Sequence, residues 1–433
     1  MTPQSNFMVV APIAAGREGA LRQLLVSMNR APGVLDPLNR LIPFGQLKQL
    51  HFARVLILSD LTLDDITVYD IARVEYPVYL AFLGDFDGGF DEFLVDLLTQ
   101  AGTGLRLIFS HCDHFADGDD LLQWIKARNC TPATSYVNWI GRTVQQVHEE
   151  SALRDALEKY MEAKRAEIRR MQSRQAYDAL RSFAAEERKA GRLTLTPAKS
   201  TPVGWQLRNA LHLIGVPLLL LALSPFLLIY SPVFLYQLRR RELTDPEIAP
   251  RIDPAHAEEL AELEDHDVSN QFSAFGSVKP GIFRRWTLIF FLWAINYTTR
   301  HIFNHGRLAR VSTIHFARWV FLDNKKRLFF ASNYDGSLDS YMDDFINKVA
   351  FGLNLVFSNG IGYPTTNWLI ADGAKDEQKF KYYIRRHELP TEVWYKAYPG
   401  LTTLDLERNA LIRQGCEATS WNDTEIEQWL QLF

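Results

Sequence analysis

The chain contains a long internal repeat, and this repetition constrains the fold more than any other feature of the sequence. The tetrapeptide His-Phe-Ala-Arg at residues 51–54 recurs at residues 315–318. An Asp-Gly turn follows each copy, at Asp87 in the first and at Asp335 in the second. A Gly-Leu-x-Leu segment then begins at the same distance from each aspartate. Because internal repetition fixes architecture, we predict two copies of one domain.

Hydrophobic periodicity and turn residues predict the order of elements within each copy. In the first copy the predicted elements are a strand at 7–13, a helix at 18–28, strands at 50–58 and 77–86, a helix at 91–100 and a strand at 105–110. In the second copy the predicted strands are 272–278, 314–322, 327–333 and 354–358, with a helix at 338–349. The order βαββαβ is the ferredoxin-like arrangement. Such a sheet leaves one face uncovered, so we expect an α+β fold in which the two copies form a pseudo-symmetric dimeric α+β barrel.

The two repeats flank an insert, so the chain is predicted to have three parts. Residues 1–158 and 270–433 are the predicted ferredoxin-like repeats, each with a helical tail, and residues 159–269 belong to neither. A chain of 433 residues is long enough for two or three domains. Within the insert we predict a long charged helix at 158–192, an apolar hairpin at 211–238 and an acidic linker at 242–269.

Composition argues against several classes of protein. A formal net charge of -4 is unfavourable for a general nucleic-acid binder, so no nucleic-acid partner is expected. The three cysteines lie far apart without a CxxC pair, which argues against a disulfide framework and a cysteine-rich zinc site. The first residues lack the basic and apolar regions of a secretion signal. A reducing compartment is therefore the expected location.

An uncharged segment between Leu211 and Leu238 exceeds the ~20 residues that cross a bilayer core. A single crossing would place the two repeats on opposite sides of the membrane, where they could not pair. Arg208 precedes the segment and three arginines follow it at 239–241, so both ends are expected at the cytoplasmic face. Because Pro225 interrupts the segment, we predict a re-entrant hairpin of two short helices or a bent helix in the membrane interface. A buried helix of a soluble core is the alternative.

A second apolar segment runs from Trp286 to Ile295, where the second repeat should have its first helix. Arg285 precedes this segment and Arg300 follows it. The segment is too short to cross a bilayer, and its tryptophans and flanking arginines are typical of an interfacial helix. Packing beneath the hairpin is an equal alternative. Together the two segments predict a protein that associates with the membrane surface and binds a lipid or another hydrophobic small molecule.

The His-Phe-Ala-Arg strands place their histidine and arginine on opposite faces of a sheet. In a barrel, one of the two must point inward in each copy, and a buried arginine needs an anionic partner. We therefore predict that Arg54 and Arg318 pair with Asp87 and Asp335, as a structural clasp that is repeated in both halves.

The Asp-Gly turns resemble the Gly-x-x-Asp-Gly turn of dye-decolourising peroxidases, which are haem enzymes built from two ferredoxin-like domains. Residues 84–88 carry the whole motif, and residues 332–336 carry it with Ser332 in place of the first glycine. The resemblance covers both repeats in architecture but rests on a motif of five residues.

The resemblance implies roles for four residues of the second half. Asp335 corresponds to the distal acid, with Arg318 or Arg413 as its partner, and His387 corresponds to the proximal haem ligand. In the first repeat, the His-Cys-Asp-His run at 111–114 is a separate candidate for metal binding.

Two functions therefore follow as hypotheses. The first is a membrane-associated protein with haem-dependent, peroxidase-like oxidoreductase activity toward a hydrophobic ligand or lipid. The second is a non-enzymatic lipid-binding or scaffold protein without a cofactor, in which the Asp-Gly turns and the His-Phe-Ala-Arg strands are purely structural.

Overall fold

Two four-stranded antiparallel sheets and a surrounding set of helices make up this mixed α+β structure, a computed structural model that describes residues 1–433. In chain order the strands are β1 (Gln4–Pro12), β2 (Asn29–Ala31), β3 (Val34–Leu35), β4 (Leu50–Leu58), β5 (Tyr79–Asp87), β6 (Thr134–Val137), β7 (Ser269–Ser277), β8 (Ile314–Leu322), β9 (Arg327–Asp335), β10 (Thr366–Asn367), β11 (Ala371–Asp372) and β12 (Val393–Lys396). The helices are α1 (Glu18–Val26), α2 (Phe90–Phe109), α3 (Leu121–Arg128), α4 (Val144–Ala163), α5 (Arg165–Ile168), α6 (Ser173–Lys189), α7 (Val203–Thr244), α8 (Pro254–Leu263), α9 (Ile282–His301), α10 (Leu338–Phe357), α11 (Glu377–His387), α12 (Thr403–Glu417) and α13 (Asp423–Leu430).

Each sheet takes three strands from one half of the chain and its fourth strand from the other half. The strand orders are β1-β5-β4-β12 and β6-β8-β9-β7. The segment before each exchanged strand also contacts the sheet of its own half. The amide of Cys130 donates to the carbonyl oxygen of Met8 at 2.8 Å, and the amide of Leu389 donates to that of Ser273 at 2.8 Å. The two crossing segments therefore tie the sheets together at both edges.

The inner faces of the two sheets share one apolar layer. Leu56 and Leu83 from the first sheet and Val320 and Phe329 from the second belong to the same buried cluster. The outer face of the first sheet packs against α1 and α2, and that of the second against α9, α10 and α11. Because both faces are covered, the strands carry buried apolar residues on both sides.

The predicted last strand of each repeat is wrong. Residues 105–109 belong to α2 and residues 354–357 to the end of α10, and Ser110 and Ser358 cap the two helices. In α2, Leu97, Ala101 and Leu105 are all buried, and this spacing of four residues forms a helical stripe. A short apolar run fits a strand or a helix equally well by periodicity. The exchanged strands β6 and β12, which were not predicted, follow later in the chain and have only four residues each.

The insert also differs from its predicted division. The charged helix predicted at 158–192 is divided among α4, α5 and α6, and α6 packs with α4, α12 and α13 around Trp429. The acidic linker predicted at 242–269 contains α8 and the start of β7. The helices α4, α6, α12 and α13 form a separate cluster, which joins the insert to the end of the chain.

The predicted apolar hairpin is wrong, because α7 is one helix of 42 residues that continues through Pro217, Pro225 and Pro232. A proline removes the amide that would bond to the carbonyl four residues earlier. In α7 each of these carbonyls receives a hydroxyl instead. Ser224 donates to Leu221 at 2.7 Å, Ser231 donates to Leu228 at 2.9 Å, and Tyr297 of α9 donates to Leu213 at 3.1 Å. The helix continues because the three carbonyls are satisfied.

Replacing Ser224 and Ser231 together by alanine should destabilise α7, because two backbone carbonyls lose their donors in an apolar segment. A buried polar group without a partner costs about 1–3 kcal/mol. We expect faster amide hydrogen exchange around residues 221–235 in the double variant, measured by mass spectrometry in lipid nanodiscs. Ser182→Ala, on the exposed face of α6, is the matched control. Unchanged exchange in the double variant would show that the hydroxyls do not support the helix.

Candidate functional site

The first Asp-Gly turn holds its aspartate between a histidine and the start of a helix. Asp87 Oδ1 lies 3.0 Å from His51 Nε2. Its Oδ2 accepts the amide of Val144, the first residue of α4, at 2.8 Å. A carboxylate at a helix N-terminus is favoured by the helix dipole. Asp87 therefore fastens α4 to the first sheet.

The second turn repeats this arrangement. Asp335 Oδ1 lies 2.6 Å from His315 Nε2, and its Oδ2 accepts the amide of Thr403, the first residue of α12, at 2.7 Å. The partner of each aspartate is thus the histidine of the repeated motif. The predicted arginine–aspartate clasp is wrong in both copies, because the arginine of each motif points away from its own turn.

The arginine in the second copy of the motif reaches across to the first sheet. Arg318 of β8 donates to the carbonyl oxygens of Phe7 at 2.7 Å and Gly84 at 3.1 Å, and its guanidinium pairs with Asp85. All of these groups are buried between the sheets. Arg318 therefore links the edge strand β1 to its neighbour β5 in the opposite sheet.

The arginine in the first copy makes the reciprocal contacts. Arg54 of β4 donates to the carbonyl oxygens of Phe272 at 2.8 Å and Ser332 at 2.9 Å, and it bonds to the side chain of Asn333. These acceptors lie on β7 and β9, as those of the other arginine lie on β1 and β5. Arg54 also donates to the hydroxyl of Ser273 at 2.8 Å. It meets an amide, Asn333, where the other arginine meets a carboxylate, Asp85.

This difference leaves the interior with two guanidinium groups and one nearby carboxylate. Burial and then the neighbouring Arg318 lower the pKa of Arg54 to about 9. Burial raises the pKa of Asp85, against the opposing effect of Arg318 and Arg54. Arg54 also lies over the ring of Trp394, 5.0 Å from its centroid, which favours the cation. Arg54 and Arg318, with their partners Asn333 and Asp85, thus hold the two sheets together. We call this group the arginine clamp.

The residues that the peroxidase resemblance singled out are not brought together. Both carboxylate oxygens of Asp335 already have partners, and Arg318 is committed to the sheet interior. Arg413 lies on α12, donates to the carbonyl oxygen of Thr196 at 2.7 Å and bonds to Glu417 at 3.2 Å. Neither arginine can therefore act beside a free Asp335 carboxylate.

His387 lies on the opposite face of the second sheet from Arg318. It is buried at the end of α11, and its Nδ1 bonds to the carbonyl oxygen of Tyr383 at 2.8 Å. Burial lowers the pKa of His387. The imidazole lies so close to Gly276 of β7 that a Cβ at that glycine would lie 2.3 Å from the ring. The glycine thus allows the ring to pack on the strand.

The space beside His387 is too small for a haem. The apolar pocket next to it has about 30 Å³ of free volume and is lined by Leu288, Phe330 and Val356 among others. This volume suits one water molecule, whereas ligand pockets measure roughly 300–1,000 Å³. The residues present therefore do not fit a haem.

Metal binding in the first repeat finds no support in the positions of its candidate ligands. His111 Nδ1 lies 3.1 Å from the carbonyl oxygen of Leu107, and Cys112 is buried. No group of three or more His, Cys, Asp or Glu side chains is placed to hold a metal ion.

A large cleft lies beside the first Asp-Gly turn, at the start of α4. It measures about 770 Å³, and Lys48, His148 and Lys199 contribute to its lining. Glu92 and Glu149 line it as well, so neither sign of charge dominates. None of the four residues singled out by the resemblance faces this cleft.

The helices α7 and α9 form a second candidate site. They lie side by side and run in opposite directions. Near one end, Arg300 Nε donates to Asn209 Oδ1 at 2.7 Å. Near the other end, the rings of Phe234 and Phe283 lie 5.4 Å apart. In turn, α9 is bonded to β6, because Thr134 donates to the carbonyl oxygen of Leu292 at 2.5 Å. The pair therefore lies along the side of the second sheet.

The outer surface of this pair is apolar. On α7, Leu221 is 70% and Ile229 is 78% exposed, and on α9 Ile282 and Trp286 are exposed as well. By length and composition α7 could cross a membrane, and only 6% of its most apolar 18-residue stretch is buried. The segments 211–238 and 286–295, both predicted from hydropathy, are thus brought together on one surface.

Glu242, near the end of α7, was not predicted to have a role. Although it is buried, it accepts the hydroxyl of Thr366 at 2.8 Å and the amides of Trp368 at 2.8 Å and Leu369 at 2.9 Å. These partners lie more than a hundred residues away in the chain. A single glutamate after three arginines carries no local signal for such a contact.

Comparisons with known proteins give no relative from which a function could be transferred. No family model, no curated protein and no solved structure matches the chain. The candidate function therefore rests on the geometry of this chain, and the most unusual geometry is the exposed apolar surface of α7 and α9.

The asymmetry of the arginine clamp gives a stability prediction. Arg318→Met should cost about 3–5 kcal/mol of unfolding free energy, because it leaves Asp85 as a buried carboxylate without its ion-pair partner. Arg54→Met should cost less, because it leaves only neutral acceptors. Chemical denaturation of each variant measures the difference.

The matched control introduces Asp85→Asn into the Arg318→Met variant, which makes the first sheet resemble the second at this position. We expect the double variant to regain a large part of the lost stability. Equal losses for the two arginine variants, or no recovery in the double variant, would contradict the clamp.

Proposed function

We propose that this is a non-enzymatic protein of the cytoplasmic membrane surface, which binds lipid through α7 and α9 and presents its two sheets as a scaffold. In this proposal the two halves are ferredoxin-like repeats that form a pseudo-symmetric dimeric α+β barrel. The observation that carries the proposal is the long, charge-free apolar surface of α7, whose two ends contact the same body.

Exposure of α7 is the first support for the proposal. The core helix of a soluble protein can have the same composition, but it would be buried, and α7 is not. Contiguous apolar surface on this scale marks an interaction site. Since apolar burial is worth about 25 cal/mol per Å², transfer of this surface from water into lipid is strongly favourable.

The orientation of α7 is the second support. A helix of 42 residues is about 63 Å long, roughly twice the ~30 Å of a bilayer core. Both ends are tethered to the second half of the chain, through Arg300 at one end and Thr366 at the other. Arg208 and the arginines at 239–241 flank the apolar stretch on both sides. These features favour a helix that lies in the membrane interface over one that crosses the bilayer.

The exchange between the halves supports the barrel. Each sheet receives an edge strand from the other half, and Arg54 and Arg318 make matching contacts in opposite directions. Such reciprocity is expected of two copies related by a pseudo-two-fold axis.

The hydrophobic partner in this proposal is the bilayer itself. A lipid pocket beside His387 is disfavoured, because the apolar pocket there has room for about one water molecule. A peroxidase is disfavoured, because Asp335, Arg318, Arg413 and His387 are engaged in separate places.

Replacing Leu221 and Ile229 together by arginine should release the protein from membranes. Each arginine costs about 2.5–3.5 kcal/mol at the centre of a membrane helix and less near the interface. We therefore expect the membrane-bound fraction to fall at least about tenfold, measured by sedimentation of lysates and by flotation with vesicles after a high-salt wash.

The control carries Leu38→Arg and Leu61→Arg, which change exposed leucines in the first half. This variant should sediment with membranes as the wild type does. A wild-type protein found entirely in the soluble fraction, or an equal membrane fraction for both double variants, would refute the proposal.

A further inference from the structure

The short hairpin of β10 and β11 has an unusual turn. Trp368 and Leu369 both have left-handed backbones, with φ of 56° and 59°, and the amide of Ile370 donates to the carbonyl oxygen of Asn367 at 3.2 Å. Turns whose two central residues both have positive φ prefer Asn and Gly at those positions. For other residues a left-handed backbone costs roughly 1–2 kcal/mol each. The strained residues are held in place by the surrounding structure.

This backbone turns large side chains toward solvent. Trp368 is 44% and Ile370 is 63% exposed, whereas Leu369 between them is only 3% exposed. A water-facing turn would ordinarily carry small polar residues. The tip instead presents an aromatic and a β-branched side chain on the outside of a strained turn.

Glu242 locks the tip of the hairpin to α7. Its two carboxylate oxygens accept the amides of the strained residues, Trp368 and Leu369, at 2.8 and 2.9 Å. A carboxylate near a helix C-terminus is disfavoured by the dipole, so these bonds and the 3.2 Å ion pair with Arg239 compensate for its position. The same Arg239 lies 5.8 Å from the centroid of the Trp368 ring.

The base of the hairpin is fixed as well. Asn354 of α10 is fully buried, and it accepts the amide of Ala374 at 3.1 Å and donates to the carbonyl oxygen of Asp372 at 3.3 Å. Gly373 has φ of 62°, and a Cβ there would lie 2.3 Å from the Asn354 side chain. The hairpin is therefore a rigid element whose tip has one direction.

Arginines and further exposed apolar groups lie near the tip, together with the acidic Glu242, which pairs with Arg239. The three arginines at 239–241 belong to the same end of α7. This end also meets the start of α9, because Arg241 lies over the ring of Phe283, 5.1 Å from its centroid. Ile282 and Trp286 are exposed on that part of α9. Tryptophans with adjacent arginines suit the headgroup region of an anionic bilayer.

We infer that the hairpin is a second membrane-contacting element, which inserts Trp368 and Ile370 into the headgroup region of a bilayer with anionic lipids, beside the arginine end of α7. The inference rests on the proposed membrane function and adds a lipid preference and a defined insertion point. In this arrangement Glu242 couples the hairpin to α7, so both elements meet the bilayer in one fixed geometry.

The test uses the purified full-length chain and two sets of vesicles, one of phosphatidylcholine alone and one with about a quarter of phosphatidylglycerol, to supply anionic surface. Trp368→Ser combined with Ile370→Ser should weaken binding to the anionic vesicles about tenfold, because interfacial burial of both side chains is lost. The wild type should prefer the anionic vesicles. Leu38→Ser combined with Leu61→Ser is the control and should bind as the wild type does.

A second measurement reports insertion directly. Brominated lipids quench tryptophans that enter the bilayer, and Trp368→Phe removes one such tryptophan while it keeps an aromatic ring at the tip. We expect less quenching of total fluorescence in this variant than in the wild type, at equal vesicle binding. Circular dichroism verifies that each variant is folded.

The outcomes separate this inference from the proposal beneath it. A wild-type protein that binds neither vesicle would overturn both. Binding that persists unchanged in the hairpin variant, with equal quenching with and without Trp368, would overturn the inference and leave membrane docking by α7 intact. The hairpin variant could also lose binding to native membranes while it still binds pure lipid vesicles. This result would show that the hairpin contacts a membrane protein, and it would overturn the inference as well.

Discussion

The exchange of strands and arginines between the two halves is the constraint on which the other features depend. Each sheet is completed by a strand from the other half, and Arg54 and Arg318 each bridge two strands of the opposite sheet. Halves joined in this way cannot lie on opposite sides of a bilayer, because separation would expose buried charges and unpaired strand edges. The apolar helix between them therefore begins and ends on one side of any membrane, whatever its length and composition.

This constraint explains why α7 is long, apolar and unbroken at the same time. Its length exceeds that of a simple bilayer crossing, and its contacts with α9 hold it along the side of the second sheet. In an apolar environment each carbonyl that lacks an amide donor needs another one. Ser224, Ser231 and Tyr297 supply hydroxyls at the three positions that the prolines leave open. In the proposed arrangement this helix lies in the membrane interface, with α9 beneath it and lipid on its outer face.

The sequence predicted the elements that carry local patterns and missed the contacts between distant segments. The mixed α+β class and the long apolar segment could be read from periodicity and hydropathy. The partner of Arg318 could not be predicted from the sequence. Asp85 lies 233 positions away, and the nearer Asp335 offers the same carboxylate. The prediction of an apolar hairpin at 211–238 took Pro225 as a helix break. A serine directly precedes two of the prolines, and this pattern could have predicted a continuous helix. The contribution of the Tyr297 hydroxyl could not be predicted, because it comes from another helix, α9. The strained tip at Trp368 has no sequence signature, because its conformation is imposed by Glu242.

The most direct test of the membrane arrangement is the sidedness of the two ends of α7. Single cysteines replace Gln206 or Thr244, both exposed, in a chain whose native cysteines are changed to serine. A membrane-impermeant maleimide is then applied to sealed vesicles of known orientation. An in-plane helix at the cytoplasmic face predicts that both positions react in inside-out vesicles and that neither reacts in right-side-out vesicles. Reaction of the two positions from opposite sides would show that α7 crosses the bilayer. This result would contradict the claim that the two joined halves lie on one side of the membrane.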